Sequence, residues 1–150
     1  MWSRKENERM LVSVMHALVM GEPLSAHPNL LDSVQDVDSF CDGTTALTVA
    51  SRLNRLDWVR ALLAKGADPN RRTWDLAAPT AIVDAATEGN LEVVEALLSA
   101  GAVPNIVNGE GLSLVALAER SGLPDEVVAQ IAALVGAYPA RSGVVRMPEC

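Results

Sequence analysis

The chain has 150 residues, 49% of them hydrophobic and 21% charged, enough to build the core of one folded unit and too apolar for a disordered tail. Three Trp, one Tyr and one Phe are its only aromatics, so the core falls to Leu, Val, Ala, Ile and Met, which suits close helix packing better than a sandwich or barrel. A formal charge of -7 disfavours unassisted binding to nucleic acid or an anionic membrane, while two cysteines, Cys41 and Cys150, cannot make a disulfide framework and point to a cytoplasmic setting.

The longest apolar run, residues 10–20, is interrupted by Ser13 and His16. It is too short for a bilayer, which needs about 20 apolar residues. Arg4, Lys5 and Arg9 before it and Ala26 after it give the outline of a signal peptide. Glu6 and Glu8 among the bases, and His16 inside the run, favour a buried structural helix instead. Residues 12–21 are expected as a first helix, with His16 in the core. Residues 24–34 are expected as a weaker second helix, broken or kinked at Pro28.

A repeat dominates the rest. Gly66-Ala67-Asp68-Pro69-Asn70 recurs 35 residues later as Gly101-Ala102-Val103-Pro104-Asn105, and again, eroded, as Gly136-Ala137-Tyr138-Pro139. Leu56 to Leu63 aligns with Leu91 to Leu98 at the same offset. Thr45, Thr80 and Ser113 each precede a short, Ala-rich helical pattern, where a hydroxyl can accept an orphan backbone N–H. Those first helices are expected to stop at Asn54, Gly89 and Gly122, residues that tolerate a left-handed backbone. Second helices begin near Leu56, Leu91 and Pro124, with Asp57, Glu92 and Asp125 in the dipole-favoured first turn. Gly66, Gly101 and Gly136 are expected to end them, followed by Pro. Such hairpins cannot bury their apolar faces alone but can when stacked.

These residues resemble the ankyrin repeat, whose pattern is D-G-x-T-P-L-H-x-A-A, then G-x-x-x-V-V-x-x-L-L, then G-A-D-x-N. The resemblance covers 42–70 and 75–105 strongly and 109–137 moderately. It implies an all-α solenoid of stacked helix-turn-helix units with short extended loops. Residues 5–38 read as a divergent capping repeat, and Asp36-Val37-Asp38 parallels Val103-Pro104-Asn105. Residues 109–137 are the C-terminal cap and 140–150 a poorly ordered tail. The Pro of the family's T-P-L-H is here Ala46, Ala81 and Leu114, and its His is Thr48, Val83 and Ala116. The hydrogen bonds by which that His ties neighbouring turns in the family are therefore not expected.

No constellation for catalysis can be assembled. There is no P-loop, G-x-G-x-x-G, H-E-x-x-H or G-x-S-x-G. Cys41 has no His after it in the chain, because both His16 and His27 precede it. Asp36 and Asp38 suit a solvated loop better than a metal site. Neither a cofactor nor a metal is expected. The resemblance implies a non-catalytic module that binds a protein partner on its concave face. In size it is similar to the ankyrin inhibitors of cyclin-dependent kinases and to small bacterial ankyrin proteins, some of which neutralise toxins. Inhibitor or scaffold is the leading role; a regulatory, toxin-neutralising or stress-protective subunit of a larger assembly is the alternative, and a monomer is expected.

Candidate partner-binding residues follow from position. Arg71, Arg72 and Trp74 lie in the loop between two units and are of types enriched at interface hot spots. Arg52, Arg55, Asp84 and Glu88, with Glu119 and Arg120, fall at the expected exposed ends of inner helices. Trp58, in the place of Val93, is expected in the core. Residues 51–72 hold six bases against two acids, and residues 73–139 one base against nine acids. That polarity suits a partner steered electrostatically.

Overall fold

The computed structural model describes residues 4–38, 44–73, 80–103 and 113–137. Among them are seven α-helices: α1 (Arg4–Val19), α2 (Ala46–Arg52), α3 (Leu56–Ala64), α4 (Ala81–Thr87), α5 (Leu91–Ser99), α6 (Leu114–Arg120) and α7 (Asp125–Ala137). The helices α2–α3, α4–α5 and α6–α7 pack as hairpins. An inner row runs α1, α2, α4, α6 and an outer row α3, α5, α7, each helix packed on the next. This is the all-α solenoid of stacked hairpins that the repeat predicts.

One apolar core runs through all layers. It takes Leu11, Val14 and Leu18 from α1, Leu47 from α2, Trp58 and Leu62 from α3, Ile82 from α4, Leu97 from α5, Leu114 from α6 and Ile131 from α7. Each such side chain contributes roughly 1.5–3 kcal/mol by leaving water. Ala50, Ala85, Ala86 and Ala118 are fully buried and let the inner helices approach closely.

The helix ends explain the sharp hairpins. Asn54 (φ 58°) and Gly89 (φ 74°) adopt the left-handed backbone. Behind them Arg55 N–H donates to the Ala50 carbonyl and Asn90 N–H to the Ala85 carbonyl, each at 2.9 Å. These bonds close the last turn and turn the chain back. Thr45 caps α2 by accepting from Thr48 N–H, and Ser113 caps α6 by accepting from Ala116 N–H, both at 3.3 Å. Thr80 differs from the expectation: it is buried but makes no capping bond.

Four further expectations are corrected. Helix α1 begins at Arg4, well before residue 12, because an Arg4–Glu8 ion pair (3.1 Å) and Glu6 in the first turn support its start. Only one face of α1 is buried, and His16 lies on the exposed one. Residues 24–34 form no α-helix but two 3-10 turns, Leu24–Ala26 and Leu31–Ser33. Pro28 cannot donate to a helix and pushes His27 before it out of helical geometry, to φ -132° and ψ 58°. Helix α7 runs through Gly136. Ala67 and Ala102 are buried and pull the chain back after α3 and α5, whereas Ala137 is exposed and exerts no such pull.

Candidate functional site

The loops after the outer helices are built by one recurring set of bonds. The Asp36 carboxylate accepts from Asp38 N–H (3.0 Å), and the Asp68 carboxylate from Asn70 N–H (2.9 Å). Asp38 then accepts from Asp68 N–H in the next layer (2.9 Å), as Asn70 Oδ1 accepts from Val103 N–H (2.8 Å). Asn70 Nδ2 also donates to the Gly101 carbonyl (3.1 Å). Asp36 and Asp38 thus serve loop geometry, and residues 36–38 repeat the geometry of 68–70. Burial, with Asp68 and Asp36 nearby, holds Asp38 above the ordinary carboxylate value of 3.8, although the Asp68 N–H and Arg71 pull it down. The buried Asn7 fastens α1 to the first loop. Its Oδ1 accepts from Gln35 and Asp36 N–H, and its Nδ2 donates to the Asp36 carbonyl.

Inner helices are bridged in the same manner. Asn90 Nδ2 reaches back one layer to the Ser51 and Arg52 carbonyls at the end of α2 (2.8 and 3.2 Å). Arg55, in the equivalent place one layer earlier, lies against the end of α1: a Cβ added at Gly21 would sit 2.8 Å from its Nη2. Arg52 Nη2 pairs with Asp84 Oδ2 across α2 and α4 at 3.1 Å, with the Arg52 side chain 43% exposed and that of Asp84 8%. Asp84 is therefore buried, not at an exposed helix end as expected. Val49 and Leu117 occupy its position in the neighbouring layers, so the stack accommodates a carboxylate there by pairing it.

The remaining predicted residues divide. Glu88 and Arg71 are exposed, and Arg55 and Arg72 are half-buried. Arg71 Nε donates to the Asp38 carbonyl at 3.4 Å, so this arginine stands on the rim of the loop row. Trp74, Cys41, Cys150, Asn105, Pro139 and the tail 140–150 lie outside the described residues. Trp58 is fully buried, as expected, and its indole N–H donates to the Glu22 carbonyl (2.9 Å). His27 contacts Glu22 and stacks obliquely near Trp58, with ring centroids 6.2 Å apart. The sequence reading missed the bridging roles of Asn7, Asn70 and Asn90. For Asn70 a signal was there, Asn105 standing 35 residues on; for Asn90, whose counterpart one layer earlier is Arg55, and for Asn7 none was.

Among the described residues no three metal-ligating side chains come together, and no helix is long and apolar enough to cross a membrane. An open cleft of about 810 Å3 lies where the 3-10 turns replace an outer helix, lined by Leu24, Pro28, Leu31, Asp57, Ala61 and Lys65 among others.

Stacked hairpins with side chains bridging each layer to the next define a repeat solenoid, a class in which the surface shared between layers is the working part. Residues 35–108 match the family model described as ankyrin repeats (3 copies). Those residues are ankyrin repeats, and the α6–α7 hairpin extends the same stack beyond the matched segment. No curated protein matches the chain significantly. Ankyrin repeats are in general protein–protein interaction modules.

Proposed function

We propose that the chain is a non-catalytic module that holds a protein partner on the face made by the ends of α2 and α4 and the loop after α3, and that it acts by occluding or tethering that partner. Its layers are taken as 5–38, a divergent cap, then 42–70, 75–105 and 109–137. The observation that supports this reading most is the register of the stack. Leu53 and Glu88 are exposed at equivalent ends of adjacent inner helices, Arg52 between them is held by Asp84, and Arg71 stands on the neighbouring rim. A partner crossing this face meets a basic layer and then an acidic one. Such complementarity sets orientation and association rate more than raw affinity.

The test is capture of a partner from an extract of cells that make the chain, using the unaltered protein, Arg71→Glu/Arg72→Glu, Trp74→Ala and Glu88→Lys. Capture should fall with the arginine pair and with Glu88→Lys at unchanged thermal stability. A partner kept by all three variants refutes the assigned face.

A further inference from the structure

The outer face of α1 carries chemistry that the partner face does not use. A helix face left to water is expected to be polar. Here Val12, Val19 and Met20 are 55, 68 and 63% exposed, and with Leu53 at the adjoining end of α2 they are the exposed large apolar side chains among the described residues. At 100° per residue, Lys5, Arg9, Val12, His16, Val19 and Met20 fall within an arc of about 100°. All six are exposed, while Asn7, Leu11, Val14 and Leu18 are buried on the opposite side. No carboxylate falls in the arc. Glu8 lies beside it and is paired with Arg4.

We infer that this stripe is a second docking surface, and that it takes an acidic amphipathic helix of another protein laid along α1. The apolar half of the stripe supplies an unpartnered face of the kind that marks interaction sites. Lys5 and Arg9 at its other end call for carboxylates on the incoming helix. A two-fold pairing with a second copy is disfavoured, because each stripe would bring bases and no carboxylate. An anionic membrane is disfavoured by the acidic excess of residues 73–139.

Selection of a displayed library of random peptides of about 15 residues against the full chain tests this. Enriched peptides should place apolar residues at helical spacing with Asp or Glu at one end. They should bind about tenfold more weakly to Val19→Glu/Met20→Glu, and lose affinity with rising salt unless Lys5 and Arg9 are changed to Gln. Both substitutions are on the surface, and an unchanged melting curve checks the fold. The inference is overturned if no peptide is enriched, or if binding survives the double Glu variant. It is equally overturned by a dimer of the unaltered chain in sedimentation that Val19→Glu/Met20→Glu dissolves, or by binding to phosphatidylserine vesicles that the same variant abolishes. Peptides insensitive to the α1 changes but lost with Glu88→Lys would overturn this surface and leave the partner face standing.

Discussion

Asp38 and Asn70 hold the same place in successive loops and differ only in a carboxylate oxygen for an amide nitrogen. Both accept a backbone N–H from the next layer, but Asn70 also donates to the Gly101 carbonyl. A carboxylate cannot donate, and this one is partly buried near Asp68 and Asp36, so its pKa is raised in the fold. A raised folded pKa means that protonation favours the folded state. The favourable contribution is full below 3.8, the unfolded value, and is lost as pH rises through the folded one. Asp38→Asn should therefore stabilise the chain by about 0.5–1 kcal/mol near neutral pH. In paired urea titrations that gain should shrink as pH falls toward 3.8, because the native Asp38 takes up its proton above that value. At the next turn, Asn54 has a left-handed backbone without being glycine. Asn54→Ala should cost about 1 kcal/mol in the same titration, whereas Asn54→Gly should leave stability nearly unchanged.

Single elements here are too short to persist alone. The inner helices α2, α4 and α6 have seven residues each, well below the length at which an isolated helix is stable. They are held by neighbours, and the bridges between layers are the means. Arg52→Ala leaves the Asp84 carboxylate buried without this cation and should cost about 2 kcal/mol. Because Val49 and Leu117 fill the equivalent positions, Arg52→Ala/Asp84→Leu should recover most of that loss; a double variant as weak as the single one would contradict the account. Asn90→Ala removes both bonds to the end of α2 and should cost about 1–2 kcal/mol. The positions of the family's His are here held by Thr48, Val83 and Ala116, and these bridges lie elsewhere, at Arg52, Asp84 and Asn90. Helix identity was legible from the 35-residue spacing, since Gly, Thr and Leu recur in register. The bridges were not, because a lone Asn or Arg in sequence does not reveal which layer its side chain reaches. Residues 24–34 misled for a related reason: their apolar spacing suits a helix, but Pro23 and Pro28 leave room between them only for the single 3-10 turn Leu24–Ala26, and Pro28 bars its continuation toward Leu31.

At the scale of the whole molecule, each layer is stabilised chiefly by the layers it touches. The chain polarises accordingly, with bases gathered in residues 51–72 and acids beyond them. The charge separation was readable as a count; its placement was not, because Asp84 turns inward to hold Arg52 while Glu88, four residues on, stays at the surface. In the proposed reading, partner specificity rests on a few side chains that the stack leaves outward, not on the charge of the chain as a whole. The direct measurement is hydrogen–deuterium exchange of the full chain with and without its captured partner. Slower exchange should concentrate at the ends of α2 and α4, in 49–55 and 84–90, and in the loop 68–73. Slowing confined to the outer helices α3, α5 and α7, with those inner segments unchanged, would contradict the proposed face.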